Sequence, residues 1–130
     1  MLADTTFLID VMMGDGRAVA KAKALSEASV PLLVGAPSVF ELYVGVGLSS
    51  KPAAEKKKVE ESLEALTQLP FDQRAARLAG IVYAQKTREG RTIEPEDAMI
   101  AGIALESGHA VLTRNVRDFS GIADLKVETY

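Results

Sequence analysis

Residues 1–10 read MLADTTFLID, and they place a charged carboxylate between two apolar segments. Leu2 and Ala3 begin as a buried strand would, and Phe7–Ile9 continue as a buried helix would. A buried charge without a partner is costly, so Asp4 needs a hydrogen-bonding group, a helix end to cap, or a cation. Which of these it has depends on the residues that the rest of the chain brings to this junction.

The composition predicts one α/β domain over residues 1–130. The hydrophobic share of the 130 residues is 48% with only 5% aromatic, which is typical of an aliphatic core in which helices pack on a sheet. There are no cysteines, which excludes disulfides, thiol catalysis and cysteine-ligated metal centres and favours a reducing compartment. No targeting segment or long apolar run is visible, so we expect a cytoplasmic protein without membrane association.

The charge of the whole molecule does not favour binding to nucleic acid. The net charge of -3 arises from 15 basic and 18 acidic residues, so any attraction to a polyanion must be local. Basic residues do cluster, at residues 56–58, at Lys86 with Arg88 and Arg91, and at Arg114 with Arg117. Each cluster is equally consistent with a solvated surface.

Apolar periodicity predicts that strands and helices alternate along the chain. The predicted strands are residues 1–4, 30–36, 69–71, 110–113 and 126–130. The first predicted helix is capped by Thr5 or Thr6 and ends near Gly14. Six further helices are predicted, with Ser38 and Asp72 as N-caps, at residues 18–28, 37–48, 52–68, 73–88, 95–105 and 116–119. This alternation predicts an α/β fold with a mainly parallel sheet of about five strands and helices on both faces.

A parallel sheet brings the carboxyl ends of its strands and the starts of the following helices to one edge. Four carboxylates are predicted to meet there: Asp4, Glu41, Asp97 and Asp118. Three of them also have an explanation that needs no function, since Glu41 fits a capping box with Ser38, Asp97 favours a helix dipole, and Asp118 can cap a short helix. Asp4 is harder to explain in this way, because its strand and its helix are both predicted to be buried. Position at this edge is therefore weak evidence by itself.

Four carboxylates close together would raise one another's pKa values unless a cation lay among them. Oxygen ligands without cysteine or a well-placed histidine suit Mg²⁺ or Mn²⁺. Two such ions, about 3.5 to 4 Å apart, would suit phosphodiester cleavage by an activated water. Thr6, Thr113 and Asn115 are the neighbouring groups that would orient the acids.

Four segments together resemble the motifs of PIN-domain proteins, and more narrowly those of VapC-type toxins. They are ADTTFLID at 3–10, PSVFELYVGV at 37–46, EPEDAMIAGIAL at 94–105 and LTRNVRDF at 112–119. The resemblance spans almost the whole chain, and the last two segments are the most specific. It implies a three-layer PIN-like fold and a metal-dependent endoribonuclease that uses Mg²⁺ or Mn²⁺ and acts on RNA. It also implies a homodimer held inactive by a cognate VapB-like antitoxin.

The resemblance assigns roles residue by residue. Asp4, Glu41, Asp97 and Asp118 match the four family acids, which would bind metal and carry catalysis, while Thr6 and Thr113 match its hydroxyl positions. Asn115 stands where many members have Asp, and an amide ligates a cation without neutralising it. Arg114 and Arg117 are candidates for binding the RNA backbone, although a salt bridge to Asp118 or Glu94 explains them equally well.

Two other functions fit parts of the pattern. An aspartyl phosphotransfer domain also places an Asp after its first strand, but a haloacid-dehalogenase-like enzyme usually has a second Asp where this chain has Thr6. A receiver domain would have an adjacent acidic pair after the first strand, which is not evident. A non-catalytic partner-binding module, with its acids serving only as caps and ion pairs, remains open.

Overall fold

Five short strands form one sheet in which every neighbouring pair runs parallel. The structure is a computed structural model that describes residues 1–130. The strands are β1 (Leu2–Ala3), β2 (Leu33–Gly35), β3 (Thr67–Leu69), β4 (Val111–Leu112) and β5 (Val127–Glu128). Their order across the sheet is β3-β2-β1-β4-β5, so β1 is central and the chain reverses its direction of winding between β3 and β4.

Seven helices connect and cover the strands. They are α1 (Thr5–Met12), α2 (Gly16–Glu27), α3 (Ala36–Leu48), α4 (Pro52–Glu64), α5 (Gln73–Arg88), α6 (Pro95–Ser107) and α7 (Val116–Phe119). None of them is both long enough and apolar enough to cross a bilayer. The element order confirms the predicted alternation of strands and helices.

Successive residues of the central strands point to opposite faces of the sheet, and each face has its own core. Leu2, Leu33 and Val111 pack with apolar residues of α5, α6 and α7. Ala3, Val34 and Leu112 pack with apolar residues of α1 to α4. The result is three layers, helix on sheet on helix, which confirms the predicted α/β class.

Two predicted N-caps are wrong. Helix α1 is capped by Asp4, whose carboxylate accepts a hydrogen bond from the Phe7 N–H, rather than by Thr5 or Thr6. Helix α3 begins earlier than predicted, at Ala36, with Gly35 as its cap and no side-chain cap bond, so Ser38 lies inside the first turn. Aspartate caps as well as threonine does, and local sequence does not distinguish them.

Strand boundaries also differ from the prediction. Strand β3 lies at Thr67–Leu69 instead of 69–71 because Pro70 has no N–H to donate to the sheet. Helix α4 ends at Glu64, four residues earlier than predicted, which leaves room for the chain to enter β3. The predicted caps at Asp72 and the start of α6 at Pro95 are confirmed.

Replacement of Gly102 by alanine is expected to lower the free energy of unfolding by about 2–3 kcal/mol. A Cβ at Gly102 would lie 2.4 Å from the Ala75 carbonyl oxygen and 2.9 Å from the Ala79 Cβ, so α5 and α6 would have to move apart. Gly80→Ala, also in a helix, is the control, because nothing lies within 4 Å of a Cβ there and alanine favours the helix. Urea unfolding that gave both variants the same stability would contradict this packing.

Candidate active site

Four acidic residues follow or face the carboxyl ends of the strands. Asp4 directly follows β1, Glu41 lies in α3 after β2, and Asp118 lies in α7 after β4. Asp97 lies in the first turn of α6, whose far end leads into β4, so its start faces the same edge. The fold therefore brings all four predicted residues to one edge of the sheet.

Asp4 is held in one orientation by two hydrogen bonds. Its Oδ1 accepts from the Phe7 N–H at 2.8 Å, and its Oδ2 accepts from the hydroxyl of Thr113 at the end of β4. Only 3% of Asp4 is exposed, and burial is the largest cause that raises its pKa, against these two hydrogen bonds, which lower it. Each carboxylate oxygen accepts a single bond, which leaves a lone pair on each for a further ligand.

Thr113 connects two of the predicted residues. Its hydroxyl donates to Asp4 and accepts from the Asn115 N–H at 2.9 Å, and the residue is fully buried. The Asn115 side chain points to Thr6, with Nδ2 and Oγ1 3.5 Å apart, at the limit of a hydrogen bond. The three predicted orienting residues thus lie around Asp4, and Thr113 makes the direct contact.

Glu41 does not take part in the predicted capping box. Its Oε1 accepts from the Thr5 hydroxyl at 2.6 Å, and Ser38 is buried with its own hydroxyl 3.0 Å from that of Thr5. Thr5 is therefore the residue that orients Glu41, whereas its neighbour Thr6 was predicted among the orienting groups. The available signal was the position of Thr5 directly after Asp4, in the first turn of a helix that starts at the same edge.

The pKa of Asp97 responds to the charges of the other three acids. Burial is the largest cause that raises its pKa to about 7, followed by the charges of Asp118, Glu41 and Asp4. Burial also raises the pKa of Glu41, against the hydrogen bond from Thr5 that lowers it, and the charges of Glu96 and Asp4 raise it further. One carboxyl thus senses the charge of the other three predicted acids.

The four acids lack a direct ion-pair partner, although the charge of Arg114 lowers the pKa of Asp4. None of the ion pairs of the structure includes Asp4, Glu41, Asp97 or Asp118. Repelling carboxylates with only oxygen donors suit a hard divalent cation, which would relieve the repulsion. In the present rotamers no three of these side chains are close enough to share one ion, so binding would require a change of rotamer.

The two predicted arginines differ in their surroundings. Arg114 makes an ion pair with Asp10 at 3.1 Å, so the predicted partners Asp118 and Glu94 are wrong for it. Asp10 also accepts from the hydroxyl of Tyr130 at 2.7 Å, a contact between distant segments that local sequence does not indicate. Arg117 is exposed and has no ion pair, which leaves its guanidinium available to an anionic ligand.

Thr113→Val is expected to destabilise the protein by about 1–3 kcal/mol, because it leaves the Asn115 N–H and the Asp4 carboxylate each without a buried partner. Thr113→Ser is the control, since it keeps the hydroxyl and removes only a methyl group. Urea unfolding at neutral pH measures both. A valine variant as stable as the serine variant would show that these hydrogen bonds contribute little.

Comparison with known proteins gives consistent matches over nearly the whole chain. Residues 1–125 match the family described as PIN domain. The tRNA(fMet)-specific endonuclease VapC of Salmonella typhimurium is 31% identical over 76% of this chain and 75% of its own length. The protein of the same name from Shigella flexneri is 29% identical over the same shares.

Solved structures share the fold. VapBC from Salmonella typhimurium, bound to DNA, has a TM-score of 0.88 at 26% identity and covers 98% of this chain and 96% of its own. VapBC2 from Rickettsia felis, bound to a promoter DNA fragment, has a TM-score of 0.90 at 19% identity and covers 99% of this chain and 97% of its own. At that lower identity the likeness supports the fold alone.

Proposed function

The chain belongs to the PIN-domain family and to its VapC-type members, and from this we propose that it is a metal-dependent endoribonuclease, the toxin of a toxin–antitoxin pair acting in the cytoplasm. The observation that carries the proposal is the meeting of four carboxylates at one edge of the sheet, where burial and the charges of Asp118, Glu41 and Asp4 raise the pKa of Asp97 to about 7. The relatives from Salmonella typhimurium and Shigella flexneri are named as endonucleases.

Asp4, Glu41, Asp97 and Asp118 are the residues that would hold Mg²⁺ or Mn²⁺. Such a cation, when bound, supplies Lewis acidity that activates water for attack on a phosphodiester and stabilises the leaving oxygen. Thr113 and the Phe7 N–H hold Asp4, and Thr5 holds Glu41, so two ligands are oriented before the metal binds. Near neutral pH part of the Asp97 population carries a proton, which it must release to serve as a ligand.

Asn115 affects how many ions bind. Its side chain reaches Thr6 and its N–H is bonded to Thr113, so it lies beside Asp4 where its amide oxygen can act as a neutral ligand. An amide leaves one more positive charge uncompensated than a carboxylate would. We therefore propose one tightly bound ion and a second that binds only together with the RNA phosphate.

The proposal is tested with the purified chain, free of any partner protein, on RNA in Mg²⁺ or Mn²⁺. Initiator tRNA, elongator tRNA and an unstructured RNA are offered in parallel, because the relatives are named for tRNA(fMet). Discrete fragments that form only with the metal, and not in EDTA, are expected. Cleavage that persists in EDTA, or no cleavage of any RNA, would contradict the proposal and favour a non-catalytic binding module.

An aspartyl phosphotransfer reaction is the remaining enzymatic alternative. Asp4 would be the phosphorylated residue, but both of its carboxylate oxygens accept hydrogen bonds and it is almost completely buried. Incubation with beryllium fluoride and Mg²⁺ followed by fluorine NMR distinguishes the two reactions. A resonance that disappears in Asp4→Asn would favour phosphotransfer.

An apolar groove supports the second part of the proposal, an inhibitory VapB-like partner. The groove has a volume of about 260 Å³, lies between α1, α3 and α4, and includes Ile9, Met13, Gly45 and Glu41. Met13 is 80% exposed and Ile9 is 40% exposed, and exposed apolar surface of this kind is typical of protein interfaces. A partner segment bound in this groove would contact Glu41, one of the four acids.

Met13→Glu is expected to weaken binding of a co-expressed VapB-like antitoxin by about tenfold or more, since a charge would be buried against an apolar segment of that partner. RNA cleavage by the free chain is expected to change much less than antitoxin binding, because Met13 is 80% exposed at the end of α1. Co-purification yield and a titration of inhibition measure the two effects. Undiminished inhibition of the Met13→Glu variant would place the partner elsewhere.

A homodimer is part of the same proposal. Phe40 and Val44 on α3 and Ile81 on α5 are exposed apolar side chains that a second copy could cover. Light scattering of the partner-free chain tests this, with a molar mass near twice 13.9 kDa expected. A monomeric mass at micromolar concentration would contradict it.

A further inference from the structure

A cavity of about 500 Å³ beside the acids is lined by no apolar side chain. Three cationic residues line it, Lys86 from α5, Arg91 from the loop before α6 and Arg117 from α7, together with one carboxylate, Asp118. Three positive charges and one negative charge leave two positive charges around the cavity. Its electrostatic character is therefore opposite to that of the neighbouring acids.

The three cations lack carboxylate partners. Lys86 is only 3% exposed, and its ammonium donates to the carbonyl oxygen of Ser120, while no Asp or Glu oxygen lies within 4.0 Å of Lys86, Arg91 or Arg117. A buried ammonium that is bonded to a neutral carbonyl and not to an anion is unfavourable unless a ligand supplies the charge. The arrangement therefore favours binding of an anion.

The backbone around the cavity is shaped to hold these side chains. Gly90 has a φ of +72°, which turns the chain after α5 and directs Arg91 toward α7. Gly121 has a φ of +76°, which favours glycine, and it lies beside the Arg91 guanidinium, whose Nη1 would be 2.9 Å from a Cβ at that position. Arg91 is thus packed against the α7 segment although it follows α5 in sequence.

Asp118 joins the cavity to the proposed catalytic site. It lines the cavity, and its charge is the one that acts most strongly on the carboxyl of Asp97. An extended polyanion with one phosphate at the acids would therefore have a neighbouring phosphate at the cavity. The planar guanidinium groups of two arginines and the ammonium group of a lysine are well suited to donate hydrogen bonds to phosphate oxygens.

We propose that Lys86, Arg91 and Arg117 form a binding site for a backbone phosphate of the RNA that flanks the bond to be cut. The inference rests on the proposed ribonuclease function and extends it to residues that fix the position of the substrate. The same site would accept a carboxylate of a protein partner, but a single carboxylate neutralises less charge than a phosphate does. The cavity shares no lining residue with the apolar groove at α1, α3 and α4.

The test measures binding of a fluorescent single-stranded RNA to the full chain in EDTA, where no cleavage occurs, over a series of salt concentrations. Arg91→Gln and Arg117→Gln are expected to weaken binding by about five- to twentyfold and to lower the slope of log affinity against log salt by about 0.7. Lys57→Gln, which removes an exposed charge on α4, is the control and is expected to change neither quantity by more than twofold. Arg117→Lys should recover most of the affinity.

Affinities of Arg91→Gln and Arg117→Gln equal to that of Lys57→Gln would overturn the inference. If the chain cleaves RNA and these variants still bind as the control does, the inference is wrong while the proposed function stands. If the chain cleaves no RNA but the two variants lose RNA binding, the proposed function fails and the phosphate site stands. Lys86→Met, with circular dichroism to check the fold, provides a third variant with the same expected loss of affinity.

Discussion

Asp4→Asn is expected to lower the rate of RNA cleavage by about 10²- to 10³-fold, the largest loss among single substitutions of this chain. The amide cannot neutralise a divalent cation and replaces one of the two lone-pair-bearing oxygens with a donor. It keeps the size of the side chain. A loss of this magnitude therefore reports on ligation of the metal and not on the shape of the site.

Stability is expected to change little in the same variant. Asn caps a helix about as well as Asp does, and its Oδ1 can still accept from the Phe7 N–H. Burial disfavours the charge of Asp4, so its removal also lifts a penalty in the metal-free protein. The thermal midpoint should consequently remain within a few degrees of that of the wild type while cleavage is lost.

Asp72→Asn is the matched control for this experiment. Asp72 also follows a strand at the same edge of the sheet, and it also caps a helix by accepting from a backbone N–H, that of Ala75 at 2.9 Å. It contributes no charge to the pKa of Asp97. RNA cleavage by Asp72→Asn should equal that of the wild type. Equal cleavage by Asp4→Asn and Asp72→Asn would indicate a contaminating nuclease or a different active site.

The sequence was sufficient to predict the class of fold and the edge at which the acids lie. Both depend on patterns that are local, namely the apolar runs at 1–4 and 110–113 and the helical spacing between them. The direction of winding follows from the handedness of parallel connections, so the positions of Asp4, Glu41, Asp97 and Asp118 could be deduced without coordinates. That close carboxylates raise one another's pKa values was expected, but the rise at Asp97 required the structure because burial is its largest cause.

Contacts between distant segments were not predictable in the same way. Glu41 fitted a capping box with Ser38, and only the earlier start of α3 at Ala36 shows that Thr5 holds it instead. Arg114 had Asp118 and Glu94 as predicted partners, yet it pairs with Asp10 from α1. Local sequence limits which partners are chemically suitable, whereas packing of the helices decides which one is near.

Lys86 illustrates the limit most clearly. Its place in the last turn of α5, close to Arg88 and Arg91, suggested a solvated basic surface. The structure buries it almost completely because the α7 segment covers the end of α5 and provides the Ser120 carbonyl. The burial of a lysine by a segment 34 residues away has no signal in a single sequence.

The pKa of Asp97 leads to a prediction about stability. A carboxyl whose folded pKa is raised from 3.8 to about 7 binds its proton more tightly in the folded state than in the unfolded state. Its contribution to stability is therefore fully present below about pH 4 and is lost as the pH rises through 7. The metal-free protein should become less stable over this range, contrary to the behaviour of a carboxylate in a salt bridge.

Asp97→Asn is expected to raise the thermal midpoint of the metal-free protein at pH 8 by about 5 °C, because the asparagine is uncharged at every pH and never incurs this penalty. The rise corresponds to about 1–2 kcal/mol once solvent screening of a partly exposed group is allowed for. The difference from wild type should shrink as the pH is lowered toward 4. Glu106→Gln, an exposed carboxylate on the same helix, is the control and should show no such dependence on pH.

Mn²⁺ should reverse the order of the two proteins. At 100 times its dissociation constant, an ion that binds only the folded wild type stabilises it by about 2.7 kcal/mol, whereas Asp97→Asn lacks a charged ligand and should gain much less. The variant would thus be more stable than wild type in EDTA and less stable in Mn²⁺, as followed by calorimetry at pH 8. An equal metal-induced shift in both proteins would show that Asp97 is not a metal ligand. If Asp97→Asn were less stable than wild type in EDTA, the charge of the Asp97 carboxylate would not destabilise the wild-type protein.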